Sequence, residues 1–183
     1  MTARDVIIRP AEERDRDAIW SILEPTIRAG ETYTLRRDLD RPQALDYWFS
    51  RGHEVFVADA GDGEGDIWGT YYLRANQQGG GDHVANCGYM TARHATGRGV
   101  ARRMCAHSLE RAGERGFRAM QFNFVVSANQ RAVRIWESFG FETVGRLPGA
   151  FLHPMLGYVD ALVMFRAIHG GAPPGEGYLD TRQ

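Results

Sequence analysis

The stretch from Asn86 to Arg115 most constrains how this chain can fold, because it passes from a strand through a glycine-bordered turn into a helix. Gly97 and Gly99 stand where the helix begins, and they leave the backbone open to close approach by a ligand. The start of a helix also presents unpaired N–H groups and the positive end of its dipole. The pattern therefore predicts a backbone cradle for an anion, best suited to phosphate.

The helix after this turn has one face of apolar or small side chains, which predicts packing on a sheet. That face consists of Ala101, Met104, Cys105, Ser108, Leu109 and Ala112. Two familiar nucleotide loops are excluded. Arg102 stands where the dinucleotide fingerprint requires a third glycine or an alanine, and the chain contains no Gly-Lys-Ser/Thr of the Walker type.

Size and charge limit the classes of function. The 183 residues predict one domain over residues 1–169, and the Gly- and Pro-rich segment 170–183 is predicted to be mobile. A formal net charge of −1 argues against a dedicated nucleic-acid binder. No apolar run approaches the roughly 20 residues of a membrane span, so we expect a cytoplasmic protein without a membrane partner.

No metal site is predicted. Cys87 and Cys105 have neither Cys-x-x-Cys nor zinc-ligand spacing, so we expect reduced, packed thiols. The carboxylates of Asp62, Glu64 and Asp66 alternate as in a calcium loop, but the downstream glutamate of an EF-hand is missing. The chemistry of a solvated turn accounts for these residues.

Strands and helices alternate along the rest of the chain. Besides the strand at Asn86, the predicted strands are Val6–Pro10, Glu54–Ala60, Ile67–Leu73, Phe117–Val126, Phe141–Val144 and Tyr158–Phe165. Further helices are predicted from Asp15 to Gly30, from Pro42 to Arg51 and from Asn129 to Gly140, and a loop with Pro148, Gly149 and Pro154 joins the last two strands. The strand–helix–strand unit requires a parallel pair, whereas the hairpins are antiparallel, so a mixed α/β sheet is predicted.

The glycine turn resembles the coenzyme A pyrophosphate loop of the Gcn5-related N-acetyltransferases, although His94 stands where that family usually has Gln or Arg. Asn129-x-x-Ala132-x-x-x-Trp136, followed by Phe139-Gly140-Phe141, is similar to the family's second signature, the helix along which the pantetheine arm lies. The resemblance implies a mostly antiparallel sheet of about seven strands, flanked by helices, whose parallel strands splay apart beside the turn. It also implies acetyl-CoA as co-substrate, no metal, and a homodimer.

Shorter motifs resemble the fungal and bacterial acetyltransferases that act on proline analogues such as azetidine-2-carboxylate. They are Glu31-Thr32-Tyr33, Tyr47-Trp48-Phe49, Asn86-x-Gly88-Tyr89, Phe122-Asn123, Asn129-Gln130, Ile135-Trp136-Glu137 and Val159-Asp160-Ala161. The implied function is transfer of acetyl from acetyl-CoA to the amine of a small molecule, such as an amino acid or a proline analogue. The alternatives are an acetyltransferase for peptides, antibiotics or polyamines, and a non-catalytic acyl-CoA sensor.

The resemblance also assigns residues to the two substrates. Coenzyme A is expected to contact Met90, Thr91, Ala92, Thr96, Gly97, Arg98, Gly99, Val100, Ala101, Asn129, Ala132 and Trp136. The amine is expected to contact Tyr33, Tyr89 and Asn123. Asn86 and Asn129 match two substrate-site asparagines of the proline-analogue enzymes, and their amides are expected to orient a carboxylate and an amine.

Catalysis requires a polarised acetyl group and a neutral amine. The resemblance implies that the backbone of Tyr89–Thr91, with Met90 N–H as the expected donor, polarises the acetyl oxygen. An aliphatic amine has a pKa of about 10, so a base must accept its proton, and Glu31 and His83 are the two candidates. Trp136 replaces the family's usual tyrosine acid, but a thiolate with a pKa of about 8.5 can leave without full protonation.

Structural roles compete with several of these assignments. Asn129 stands at a helix N-cap position. Asn86 and Asn123 can instead satisfy backbone groups in a splayed sheet. Tyr89 and Trp136 lie on predicted inward faces, where aromatic side chains usually belong to the core.

Overall fold

The structure, a computed structural model, describes residues 6–61 and 66–168. Its strands are β1 (Ile7–Pro10), β2 (Glu54–Asp59), β3 (Ile67–Ala75), β4 (Val84–Thr91), β5 (Ala119–Val126), β6 (Glu142–His153) and β7 (Gly157–Ala167). The α-helices are α1 (Arg16–Ala29), α2 (Arg41–Trp48), α3 (Val100–Glu114) and α4 (Gln130–Ser138), and short 3₁₀ turns cover Glu13–Asp15, Gly79–Gly81 and Arg93–Ala95.

The strands form one seven-stranded sheet in the order β1-β2-β3-β4-β5-β7-β6. Every neighbouring pair is antiparallel except β4 and β5, which are parallel. That pair is in register only at Val84–Ala119 and Ala85–Met120, after which the strands diverge toward the carboxyl end of β4. The predicted mixed, mostly antiparallel and splayed sheet of about seven strands is confirmed.

The core lies on both faces of the central strands, because helices cover each side. On one face, Trp48 of α2 donates from Nε1 to Thr70 Oγ1 of β3 at 3.0 Å. On the other face, the Tyr89 hydroxyl of β4 lies 2.7 Å from Ser108 Oγ of α3. Cys87 and Cys105 are buried free thiols, as expected.

Local sequence explains where the helices begin and end. The carboxylate of Asp40 accepts from Gln43 N at 2.9 Å, so α2 begins beside Pro42 as predicted, but it ends at Trp48 and not at Arg51. Gly30 ends α1 with φ 64°, a left-handed conformation that favours glycine.

The last hairpin is longer than predicted. β6 extends from Glu142 to His153, through the segment predicted as a loop, and its register with β7 shifts between Leu147 and Phe151. Pro148 lies in this irregularity, where its missing N–H costs no ladder hydrogen bond.

Some predictions fall on other parts of the chain. The tail 170–183 and the residues Asp62 and Glu64 lie outside the described residues, and one domain over 1–169 stays a prediction. Within residues 6–61 and 66–168, no helix is long and apolar enough to cross a membrane. The same residues contain no cluster of three or more His, Cys, Asp or Glu arranged to hold a metal ion.

Candidate functional site

A cavity of about 450 Å³, here named the turn cavity, opens at the start of α3 between α3 and α4. Nine residues of the expected coenzyme A set line it: Thr91, Thr96, Gly97, Gly99, Val100, Ala101, Asn129, Ala132 and Trp136. The glycine turn and the second signature therefore meet across one cavity, although they are about 30 residues apart in the sequence.

The glycine turn leaves its backbone exposed to the cavity. Gly97 and Gly99 have φ values of 87° and 79°, and a Cβ added at either would meet no atom within 4 Å. The carbonyl of Gly99 accepts the first helical bond, from Arg103 N at 3.1 Å. Among the described residues, no main-chain carbonyl accepts from the amides of Val100, Ala101 or Arg102, which precede that bond. These amides can bind an anion.

Positive side chains stand around the glycine turn. Arg102, Arg131 and Arg134 line the turn cavity and are exposed. Arg102 donates to Ser138 Oγ at 2.8 Å, and its guanidinium lies 5.2 Å from the ring centroid of Phe139. Guanidinium groups at this position favour phosphate through charge-assisted hydrogen bonds.

Two residues of the expected coenzyme A set do not line either cavity. Ala92 is buried and donates its N–H to Trp68 O at 2.9 Å, so its amide is occupied. Arg98 places its guanidinium 5.0 Å from the Trp68 ring centroid, and its amide donates to Ala95 O at 3.2 Å. The structure places both groups against Trp68, and contact of these two residues with coenzyme A stays a prediction.

A second cavity of about 660 Å³, here named the splay cavity, lies where β4 and β5 diverge. Its lining includes Glu31, Tyr33, Tyr72, Arg74, Asn86, Met90 and Asn123. The two cavities share Tyr89, Thr91, Thr96, Asn129, Arg131, Ala132 and Trp136. A continuous cleft therefore runs from the start of α3 into the opened sheet.

The register of β4 decides which amides face this cleft. β3 and β4 pair without a shift from Gly69–Thr91 to Ala75–Ala85. One step beyond, Ala92 N donates to Trp68 O at 2.9 Å, and inter-strand hydrogen bonds alternate along an antiparallel ladder. Met90, two residues before Ala92, therefore directs its N–H toward β3, so the expectation that it polarises the acetyl oxygen is corrected.

The amides of Tyr89 and Thr91 point instead to the opposite edge of β4. This edge is free of a partner strand beyond Ala85, where β5 diverges. The carbonyl of Tyr89 points the same way and accepts from the Tyr33 hydroxyl at 2.9 Å. Tyr33 thereby fixes the main chain of β4 at the middle of the cleft.

The expected substrate asparagines line the splay cavity, but each is also hydrogen-bonded within the protein. Asn86 Nδ2 donates to Gln121 O at 2.8 Å and so bridges the diverging strands. Asn123 accepts from Gln121 Nε2 at 2.8 Å and donates to Asn76 Oδ1 at 2.6 Å. Asn86 and Asn123 therefore stabilise the splayed part of the sheet, whether or not they also contact the substrate.

The second signature forms the wall between the cavities. Asn129 caps α4 by accepting from Ala132 N at 3.2 Å, while it lines both cavities. The Trp136 ring packs against Tyr89, with centroids 4.9 Å apart, and against Phe122 at 5.1 Å. An indole has no acidic proton to supply near pH 7, so this wall is apolar and aromatic at the point where the family usually has a tyrosine.

The structure separates the two candidate bases. Glu31 is exposed and lines the splay cavity. His83 is exposed just before β4, and its carbonyl accepts from Arg118 N at 2.9 Å. His83 lines neither cavity, whereas Glu31 lines the splay cavity, so Glu31 is the candidate base that the structure places beside the expected amine site.

Buried hydroxyl and thiol groups of the splay cavity stay protonated. Burial raises the pKa of the Tyr33 and Tyr72 hydroxyls well above the usual value, so both are hydrogen-bond donors near pH 7. Burial likewise raises the pKa of the Cys87 thiol to about 12, so the cavity offers no thiolate nucleophile from this residue.

The residues of the splay cavity that sequence reasoning missed include Tyr72 and Arg74 of β3. They are register partners of Gly88 and Asn86. Side chains two residues apart project from the same face of a strand, so their shared face could have been inferred once the register was known. The sequence does not contain that register.

Comparison with known proteins agrees with this geometry. The model of the Acetyltransferase (GNAT) family matches residues 17–141. A GCN5-related N-acetyltransferase from Kribbella flavida is 40% identical and superposes with a TM-score of 0.84 over 88% of this chain and 97% of that chain. The N-acetyltransferase aca1 of Schizosaccharomyces pombe is 26% identical over 152 residues, 75% of this chain and 72% of that protein.

A more distant structure shares the fold. A phosphinothricin acetyltransferase from Sinorhizobium meliloti, solved in complex with AcCoA, is 19% identical, with a TM-score of 0.79 over 96% of this chain and 97% of that chain. The family model alone spans more than half of the sequence. The chain therefore belongs to the GNAT family and is an acetyltransferase.

Proposed function

We propose that this enzyme transfers the acetyl group of acetyl-CoA to the amine nitrogen of a small molecule, such as an amino acid or a proline analogue, by direct attack in a ternary complex. The observation that carries the proposal is the continuous cleft. The turn cavity offers unpaired amides to a diphosphate, the splay cavity offers a polar, aromatic chamber to an amine, and the two share seven lining residues.

The turn would hold the diphosphate of acetyl-CoA on the amides of Val100, Ala101 and Arg102. The amides of Tyr89 and Thr91 would then face the pantetheine arm and the thioester. An N–H fixed beside the thioester carbonyl stabilises the negative charge that develops on its oxygen. The Tyr33 hydroxyl, bonded to Tyr89 O at 2.9 Å, keeps this part of the strand in place.

The amine nitrogen attacks the carbonyl carbon of the thioester, forming the C–N bond, and the C–S bond then breaks to release the thiolate of CoA. The amine must first lose a proton, and Glu31 would accept it through water from the exposed side of the splay cavity. The nitrogen loses its second proton to solvent as the C–S bond breaks, and the departing thiolate, with a pKa of about 8.5, accepts a proton from solvent. No covalent intermediate with the protein is required.

Release of free thiol from acetyl-CoA, measured with a panel of amines, tests the proposal. We expect saturable release with small amines and no release without them. The panel includes amino acids, proline analogues, polyamines and short peptides. Turnover confined to peptides would contradict the small-molecule acceptor, and no turnover with any amine would contradict the function.

We also propose that the enzyme is a homodimer, as the family resemblance implies. Large apolar side chains are exposed around the turn of the β6–β7 hairpin, including Leu152, Met155, Leu156 and Tyr158. Such a surface favours association. Sedimentation equilibrium of the wild type and of Leu156→Glu tests the pairing, and a monomeric wild type would contradict it. A cytoplasmic location and the absence of nucleic-acid partners stay predictions.

A further inference from the structure

Arg74 has an unusual position in the splay cavity. It lies near the end of β3, opposite Asn86 in register, and its side chain lines the cavity. Its Nε is buried and has no hydrogen-bond partner. Within residues 6–61 and 66–168 it is the one buried side-chain nitrogen or oxygen in this condition.

An unpartnered buried guanidinium nitrogen is unfavourable, because the group has lost its hydration and gained no acceptor. No ion pair joins Arg74 to a carboxylate of the described residues, whereas Arg9, Arg111 and Arg146 each have at least one. The carboxylate of Glu31 lines the same cavity but is exposed. The splay cavity therefore contains a cationic group whose buried Nε has no acceptor among the described residues.

The surroundings of Arg74 favour an anionic partner with two oxygens. Tyr72, two residues earlier on the same face of β3, is buried and stacks on His53, with ring centroids 4.2 Å apart. An aromatic environment lowers the local dielectric and strengthens an ion pair with the guanidinium. The planar fork of arginine matches a carboxylate, which accepts from two N–H groups at once.

We infer that Arg74 binds the carboxylate of the acceptor, so that the enzyme selects amines that carry a carboxylate. This inference rests on the proposed function and specifies its substrate class. The carboxylate accepts a hydrogen bond from the buried Nε. Asn86, the register partner of Arg74, accepts a hydrogen bond from the amine of the acceptor with its side-chain oxygen. An amine that lacks a carboxylate leaves Arg74 unsatisfied and is a poor substrate.

The test compares matched acceptors that differ only in the carboxylate, namely an amino acid and its carboxamide, in steady-state thiol release. In the wild type we expect kcat/KM for the acid to exceed that for the amide at least about 10-fold. Arg74→Gln is expected to lower kcat/KM for the acid about 10- to 100-fold, mainly through KM, while the amide changes less than about 3-fold. Arg74→Lys keeps the positive charge but loses the two parallel N–H donors of the guanidinium. Its kcat/KM for the acid should lie between those of the wild type and Arg74→Gln.

Two controls make the test decisive. Arg51→Gln, the same change at an exposed residue outside both cavities, is expected to leave the acid-to-amide ratio unchanged. Affinity for CoA, measured by calorimetry, should be equal in wild type and Arg74→Gln. Equal use of acid and amide by the wild type would overturn the inference even if Arg74→Gln fails to fold. An equal loss for both acceptors in Arg74→Gln would also overturn it.

A failure of the proposed acetyl transfer can be distinguished from a failure of the inference about Arg74. If the wild type acetylates no amine, calorimetric titration of the amino acid into the CoA complex still measures carboxylate binding. Binding that Arg74→Gln weakens at least about 10-fold would then support the inference alone, and no difference between the proteins would reject it.

Discussion

The two halves of the cleft are built from different parts of the polypeptide. The turn cavity is formed mainly by main chain and small residues within one continuous segment, from Thr91 to Arg102, together with α4. The splay cavity is formed mainly by large side chains that come from the segment after α1, from α2 and α4, and from β3, β4 and β5. The comparison indicates that the turn cavity depends on local backbone conformation, whereas the splay cavity depends on how distant elements pack. Four predictions test this difference.

The largest effect is expected at Trp136, because its ring belongs to both halves. Trp136→Ala removes contacts with Tyr89 and Phe122 and should lower the free energy of unfolding by about 3–5 kcal/mol, measured by urea denaturation. Trp136→Ala should also weaken the affinity for CoA and lower kcat/KM for the amine. Trp136→Phe, which retains an aromatic ring, should lose less on every measure. A loss confined to one substrate would contradict the assignment of this ring to both cavities.

A change at the glycine turn should affect only the turn cavity. Gly99→Val forces a β-branched residue into φ 79° and directs its side chain toward the expected diphosphate, so CoA affinity should fall at least about 100-fold, or roughly 2.7 kcal/mol, by calorimetry. Gly116→Val is the matched control, with φ 81° and equally open space, just after the far end of α3. Both variants should lose stability to a similar degree, and unchanged CoA affinity in Gly99→Val would refute the diphosphate site.

A change at Gly88 should affect only the splay cavity. A Cβ at this position would lie 2.6 Å from Tyr72 Cε1, so Gly88→Ala must displace the Tyr72 ring, at a cost of about 1–3 kcal/mol in stability. The KM for the amine should rise while the Kd for CoA stays constant. Gly145→Ala, whose added Cβ would meet Val163 at an ordinary 3.5 Å, should change neither constant. A larger effect on CoA than on the amine would contradict the division of the cleft.

The smallest effect concerns pH and the packing behind the splay cavity. His53 stacks on Tyr72, and burial lowers the pKa of its imidazole in the folded protein. The unfolded chain, with a histidine pKa of about 6.5, therefore binds the proton more strongly. The stability that the folded protein gains from neutral, buried His53 is fully present above about pH 6.5, and it decreases as the pH falls below that value. His53→Gln should show a shallower fall in Tm between pH 7 and pH 5, and an identical fall would contradict the prediction.

The accuracy of the sequence predictions follows the same division. The glycine turn, the start of α3 and the cap of α4 are correct, because each depends on residues within a few positions of one another. The end of β6 is wrong, because a bulge allows the strand to continue past Pro148. The direction of the Met90 amide and the position of His83 outside both cavities could not be predicted, because they require knowledge of strand register and of which end of β4 opens.

The sequence by itself determined the order of the elements, the glycine-bordered turn before α3 and the family. These follow from backbone preferences of glycine and from short-range periodicity, which local residues control. Only the tertiary structure decided that the Tyr89 and Thr91 amides face the cleft and that the buried Nε of Arg74 has no hydrogen-bond partner among the described residues. Both outcomes depend on how β3, β4 and β5 align, and that alignment is set by packing among segments far apart in the chain.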